Sequence, residues 1–271
     1  MDNTSLHEFC WEDGYIFCPR CSNKNIYMLK GDRYRCSLCK YTFHDFSGRW
    51  LNYCSLDHNS WEEIIKYYIS GWSAASIARS LNLSYNLAHK SLKVIRSSLL
   101  IRDETFIPLL ENPLKIRTYC SMAEGDARFK HCLGENAPVF SVRYAGTGVK
   151  VGYVPSLNVK EVLFMQTRKR FCRSMFVCDY PGENGYLLFS CCAYLRKKTR
   201  CDNFLDHRRS LEAESSFWTM CFEMLDRYHK FSPESFPLYL KEFEARYEHG
   251  LSSLKALISK SICSFVPDLK H

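Results

Sequence analysis

Between residues 58 and 100 apolar positions recur at helical spacing. Trp61, Ile64, Ile65 and Tyr68 share one face of a first helix. Ser60 with Glu63 reads as a capping box that opens it, and Gly71 as its stop. Ser73 starts a second helix with Ala74, Ile77, Ala78 and Leu81 turned inward. A third runs through SYNLAHKSLKVIRSSLL, its apolar stripe being Ala88, Leu92, Ile95 and Leu99. Asn86, Lys90, Lys93 and Ser97 lie on the opposite side with no acid among them. Small residues in the second helix allow close packing, so the pattern predicts a helix-turn-helix over 59–102. Laid in a major groove, its third helix would bring Asn86, Lys90 and Lys93 to base edges or phosphates. The plainer alternative is a three-helix packing unit with a solvated outer face.

The pattern then changes. Residues 103–115, with Pro108 and Pro113, read as a linker. A strand is expected over 116–129 leading to Asp126, and two more over 138–146 and 149–156 around the Gly146-Thr147-Gly148 turn. A helix is expected over 158–171, then a buried strand over 174–179 ending at Asp179. A helix over 184–198 and another over 210–230, carrying Glu214, follow. Three strands, helix, strand, helix and an acid-bearing helix is the ribonuclease H-like plan, which assigns 116–250 to an α/β domain of that kind. Residues 251–271 add a C-terminal helix that packs on the domain or on a second subunit. The whole chain reads as α+β and multidomain.

Ahead of the helices, "CPRCSNKNIYMLKGDRYRCSLC" carries two CxxC pairs. Each spacing lets two thiolates of one tight turn face one ion, and two such knuckles close a tetrahedral site suited to structural zinc. Cys18, Cys21, Cys36 and Cys39 are the expected ligands, on a zinc ribbon within 1–58. Gly31-Asp32 marks the hairpin turn between its strands. A redox CxxC is the alternative, and the second equal copy argues against it. Cys10 and Cys54 read as ordinary thiols.

The 271 residues hold fifteen cysteines, yet MDNTSLHEFCWEDGY has neither a basic nor an apolar leader region. The longest apolar run, GYLLFSCCAYL, is too short to cross a bilayer. No membrane partner is therefore expected, and scattered cysteines fit a reduced, intracellular setting. Net charge is +8, and residues 160–210 hold 11 Lys/Arg against 5 Asp/Glu, an excess of 11 − 5 = +6. That excess suits phosphates, although a solvated face is the bland reading.

Four stretches carry a family resemblance: the ribbon itself, "SAASIARSLNLSYNLAHKSLKVIR", "EGDARF" with "FVCDYPGENGY", and "ESSFWTMCFEMLDRYHKFSPESFPLYLKEFEARY". From about Cys18 to about Tyr247 the chain resembles the DDE-type transposases of the Merlin superfamily and their bacterial insertion-sequence relatives. The resemblance implies Asp126, Asp179 and Glu214 as catalytic residues. Together they would hold magnesium or manganese, one ion activating a nucleophile and another the leaving oxygen about 4 Å away. Glu124 would tune the site or be a surface acid. The partner implied is double-stranded DNA, element ends and target, in a homo-oligomer during strand transfer, and in the nucleus if the source is eukaryotic. Arg168, Lys169, Arg170, Arg196, Lys197 and Lys198, with Arg208-Arg209, would hold the DNA backbone. The sequence departs from the family at Ala127, at Leu211 and in the short FKHCLGENA segment. A domesticated, catalytically silent DNA-binding descendant is the alternative function.

Overall fold

Local capping and turn chemistry set the first elements. The computed structural model describes residues 5–12, 14–117, 137–172, 175–190, 208–228 and 232–268. Helix α1 (Leu6–Cys10) opens on a capping box of Ser5 and Glu8. Strands β1 (Ile26–Leu29), β2 (Arg33–Cys36) and β3 (Thr42–Phe43) pair antiparallel in that order. Gly31 and Asp32, with φ of 74° and 51°, form the β1–β2 turn as expected. Two left-handed residues in succession match the twist of a two-residue hairpin.

Helices α2 (His58–Ile69), α3 (Ala74–Ser80) and α4 (Tyr85–Leu100) follow. Ser73 and Ser84 cap the last two. At α2 the cap is Asp57 rather than Ser60: its carboxylate accepts from the Ser60 amide at 2.8 Å. A carboxylate at the positive end of a helix outcompetes a hydroxyl one turn later. Trp61, Ile64, Ile65, Tyr68, Ala88, Leu92, Ile95 and Leu99 are all buried, as their spacing predicts. Ser97 is buried too, because α4 is enclosed on every side from Val94 to Leu100. The C-terminal helix Leu251–Cys263 packs there, and also against α1 and α2. Residues 1–102 and 249–271 thus make one unit, and 103–248 the other.

Two polar hubs tie the first unit together. Buried Asp45, just past the ribbon, accepts from Trp11 Nε1 at 2.8 Å, His7 Nδ1 at 2.9 Å and His58 Nε2 at 3.2 Å. Burial works against its charge, but these three donors hold its pKa well below the carboxylate range. Arg49 lies between the rings of Trp11 and Phe265, 4.6 and 4.1 Å from their centroids, and donates to the carbonyls of Asp45, Cys10 and Cys263.

In the second unit the segment read as a linker is part of the core. A 3-10 turn (Glu104–Leu109) and the hairpin β4 (Leu110–Asn112)–β5 (Lys115–Ile116) bury Phe106, Leu109, Leu110 and Ile116. Apolar FIPLL has more to gain under a sheet than in water, and Pro108 is accommodated in the 3-10 turn. The sheet comprises β6 (Phe140–Ala145), β7 (Gly148–Tyr153), β8 (Lys169–Cys172), β9 (Met175–Asp179) and β10 (Gly185–Ser190), ordered β7-β6-β10-β9-β8. Every pairing in it is antiparallel. Helices α5 (Val159–Phe164), α6 (Arg208–Glu214), α7 (Ser216–Arg227) and α8 (Phe236–Glu248) complete the described part, and α9 is the C-terminal helix (Leu251–Cys263).

Three expectations differ here. The helix expected over 184–198 begins instead as strand β10, its remainder from 191 lying outside the described residues. A continuous apolar run suits a strand buried on both faces as well as a buried helix. The Pro181–Asn184 turn, with Gly182 at φ 76°, sends it back along β9. The 158–171 helix stops at Phe164, and 169–172 pairs with β9 instead. The 210–230 helix is two, broken at Ser215, which caps α7. The antiparallel sheet with β10 at its centre replaces the helix expected directly after Asp179. Helix and sheet are mixed as expected, and the strand ending at Asp179 is where the pattern put it.

Candidate functional site

Cys18, Cys21, Cys36 and Cys39 come together at the base of the hairpin, their sulfurs all within 4.8 Å of one another and the closer pairs at 3.5–3.6 Å. Zinc–sulfur bonds of about 2.3 Å place the corners of a tetrahedron about 3.8 Å apart, so the four thiols fit structural zinc. Burial opposes a charge on Cys36, yet amides of Cys39 and Leu38 and the Asn23 side chain pull its thiol down to about 6. The Asn23 amide draws Cys21 the same way, but burial and hydrogen bonds to the other three sulfurs push it up to about 12. Several thiolates this close need a cation between them. Asn23 also bonds Ser37 Oγ at 2.9 Å, bracing one knuckle against the other.

In the same unit the N-terminal half of α4 stays in contact with solvent. Asn86 and Lys90 are exposed and Lys93 is half-buried, on the side away from the core. Tyr85, 57% exposed, stacks on His89 at 5.9 Å. Burial, then Arg96 and Lys93, push the His89 pKa down, so its ring is neutral and can accept as well as donate. The start of α4 therefore offers a short polar surface to solvent.

The second unit has an acidic cluster built by strand alternation. Arg170 pairs with Val177 and Tyr186 with Asp179, which puts Arg170, Asp179 and Tyr186 on one sheet face. Helix α6 brings Glu214 over that face. The Arg170 guanidinium, 1% exposed, lies between the acids: Nη1 is 2.9 Å from Asp179 Oδ1, and Nη2 is 3.0 and 3.2 Å from the Glu214 oxygens. Arg168 Nη2 reaches Glu214 at 2.5 Å, and the Tyr186 hydroxyl donates to its other oxygen at 2.5 Å. Burial disfavours the Glu214 charge, but Tyr186 and the two arginines outweigh it and hold the pKa below the usual range. Burial and Glu214 together raise that of Tyr186.

Two of the three expected acids thus meet, though at an arginine. Asp126, together with Glu124, lies outside the described residues, as do Arg196, Lys197 and Lys198. With Arg170 in place, its N–H groups take one oxygen of Asp179 and both of Glu214, so the pair as arranged does not fit a divalent cation. The basic run 168–170 is divided by the two-residue period of β8 and does not present one face to DNA. Arg170 is buried among acids and Arg168 is bound to Glu214. Lys169 points to the other side, where Nζ bonds the Leu163 carbonyl at 2.6 Å and closes the end of α5. Arg208 pairs with Glu212 and Asp226 at 2.7 and 2.9 Å.

Residues 3–42 match a transposase zinc-ribbon domain. The match ends beside the hairpin just described and covers all four cysteines. Neither the comparison with curated proteins nor that with solved structures gives a match for the chain. A transposase ribbon at this end points to a transposase-related DNA-binding role. Among the described residues no helix is long and apolar enough to cross a membrane.

Trp218, just past Glu214, packs in the core, 1% exposed and 5.5 Å from the Tyr186 ring. Sequence reasoning missed Arg170 as a bridge and Tyr186 as a donor to Glu214. The signal for Arg170 is the alternation of β8, which a helix over 158–171 hides, whereas Tyr186 lies in an apolar run without a period and is placed only by its pairing with Asp179.

Proposed function

We propose that the chain is a transposase-related protein that grips double-stranded DNA with its first unit and whose described acids in the second, Asp179 and Glu214, hold an arginine in place of a catalytic cation. Zinc holds the ribbon, and the start of α4 enters the major groove with Asn86, Lys90 and Lys93. The observation that supports this most is the four-cysteine cluster inside the segment matching a transposase ribbon. The guanidinium between Asp179 and Glu214 supports the silent form of that role. With Arg168 it neutralises the pair from within, by charges that cannot be lost at ordinary pH.

One observation favours a second reading, in which the chain is a DDE-type transposase of the Merlin kind that cuts and joins element ends through Asp126, Asp179 and Glu214. Asp179 and Glu214 are 214 − 179 = 35 residues apart and still converge. That reading requires Arg170 to leave the acids and magnesium or manganese to take its place.

The test uses zinc-loaded full-length chain and a duplex selected from random sequence, with manganese present. Binding without cleavage, by wild type and Asp179→Asn alike, is expected. Cleavage by wild type that disappears in Asp179→Asn establishes the second reading. Failure to retain any duplex overturns both.

A further inference from the structure

The ribbon sheet has an outer face that the zinc site leaves untouched. Across β1 and β2, Tyr27 stands opposite Arg35 and Leu29 opposite Arg33, and Arg35 is in turn opposite Thr42 of β3. Opposed residues point to the same side of a sheet. All five are exposed, Tyr27 by 61% and Leu29 by 38%. On the other face Tyr34 and Phe43 are buried against the Trp11 ring, while Met28 at the edge stays 79% exposed.

The outer face is therefore two rows, Tyr27 with Arg35 and Leu29 with Arg33, the opposed Cβ atoms about 5 Å apart across the strands. The rows repeat about 6.6 Å apart along them. Charge is one-sided here: residues 18–43 hold Arg20, Lys24, Lys30, Arg33, Arg35 and Lys40 against Asp32 alone. Arg33 touches the Lys30 carbonyl at 3.4 Å and its guanidinium still faces solvent.

We propose that this face binds an unpaired nucleic-acid strand, one base stacking on Tyr27 and the next lying on Leu29, with phosphates on Arg35 and Arg33. The proposal rests on the nucleic-acid-binding reading above and adds a second class of substrate to it. The cations favour a polyanion over a neutral or basic protein partner. The apolar pair selects among polyanions. In a duplex the base faces are covered by their neighbours, and contact with phosphates alone would leave Tyr27 and Leu29 against water. An unpaired strand offers π-faces that an exposed tyrosine can stack on irrespective of sequence.

Fluorescence anisotropy of the zinc-loaded chain with a labelled oligodeoxythymidine, an oligouridine and a DNA duplex tests this. Tyr27→Ala should weaken oligodeoxythymidine binding about tenfold and leave duplex binding within about twofold, while Tyr27→Phe keeps both. The Arg33→Ala/Arg35→Ala double variant should weaken strand binding and flatten its salt dependence. Lys90→Ala should show the reverse preference, losing duplex and keeping strand. Zinc content and circular dichroism confirm that each variant is folded. Preference for oligouridine with the same Tyr27 dependence supports the face and assigns the strand as RNA. Duplex binding with no strand binding, or strand binding indifferent to Tyr27 and the arginines, overturns the proposal and leaves the duplex-binding reading standing. Binding to none of the three probes removes both. Self-association lost in Leu29→Lys, without any Tyr27 effect on strands, would show that a second copy covers the face and would overturn the proposal too.

Discussion

The zinc cluster and the acidic cluster each hold charged groups together, but they are assembled over very different distances along the chain. All four zinc ligands fall between Cys18 and Cys39, on two knuckles that need only a hairpin to meet. The acidic cluster draws Arg168 and Arg170 from before and within β8, Asp179 from β9, Tyr186 from β10 and Glu214 from α6. The first site leaves its charge for an outside ion to balance. The second balances its own, with a buried arginine as the internal cation. An acidic pair can be gathered without becoming a metal site, and convergence alone does not reveal which outcome a chain has reached.

Taking away what balances each site is the most direct way to break that contrast. Cys36→Ser, or chelation, should release the zinc and unfold the ribbon, since structural zinc in small domains contributes about 10–16 kcal/mol of apparent binding energy. Metal analysis and limited proteolysis read this, and β6–β10 should remain protected; a ribbon that keeps its shape without metal would refute the zinc assignment. Arg170→Leu comes next. It leaves two carboxylates facing each other and should cost about 3 kcal/mol in urea unfolding, at the low end for a broken buried pair because both acids are partly exposed. The contrast sharpens if manganese then stabilises Arg170→Leu and not the wild type, by binding where the guanidinium was.

The smallest effect concerns His58. Its pKa is raised, chiefly by its hydrogen bond to Asp45, against burial. That bond therefore stabilises the first unit fully below the ordinary histidine value, and the contribution fades as pH climbs through the raised one. With the side chain 41% exposed, solvent screening limits it to about 0.5 kcal/mol. Thermal unfolding of wild type and His58→Gln should show a gap near about pH 6 that closes by about pH 8. A gap that persists unchanged would mean the two groups are not coupled.

The same contrast explains what could be read from the residues alone. The ribbon, its turn at Gly31-Asp32 and the buried stripes of α2 and α4 are encoded by short-range spacing, and they stand where the pattern put them. The strand ending at Asp179 was legible for the same reason. Strand β10 was not, because Tyr186-Leu187-Leu188-Phe189 is apolar without a period, and only its hydrogen bonds to β6 and β9 make it a strand. Misreading β8 as helix then hid the alternation that separates Lys169 from its neighbours. The linker failed differently: its prolines suggested an exposed connection, while Phe106, stacked on Phe140 at 6.0 Å, belongs inside.

The placement of α9 affects how the protein is made. Residues 103–248 interrupt a unit whose last helix packs on α1, α2 and α4, with Lys260 paired to Glu12 and the Val266 amide bonded to the Gly48 carbonyl. During synthesis the amino-terminal portion emerges long before its cover, so the surfaces of α1, α2 and α4 that α9 packs against stay wet until the ribosome reaches the final stretch. A fragment cut at residue 102 would leave that seam open for good, and a truncated transcript would yield an aggregating stub in place of a working DNA grip.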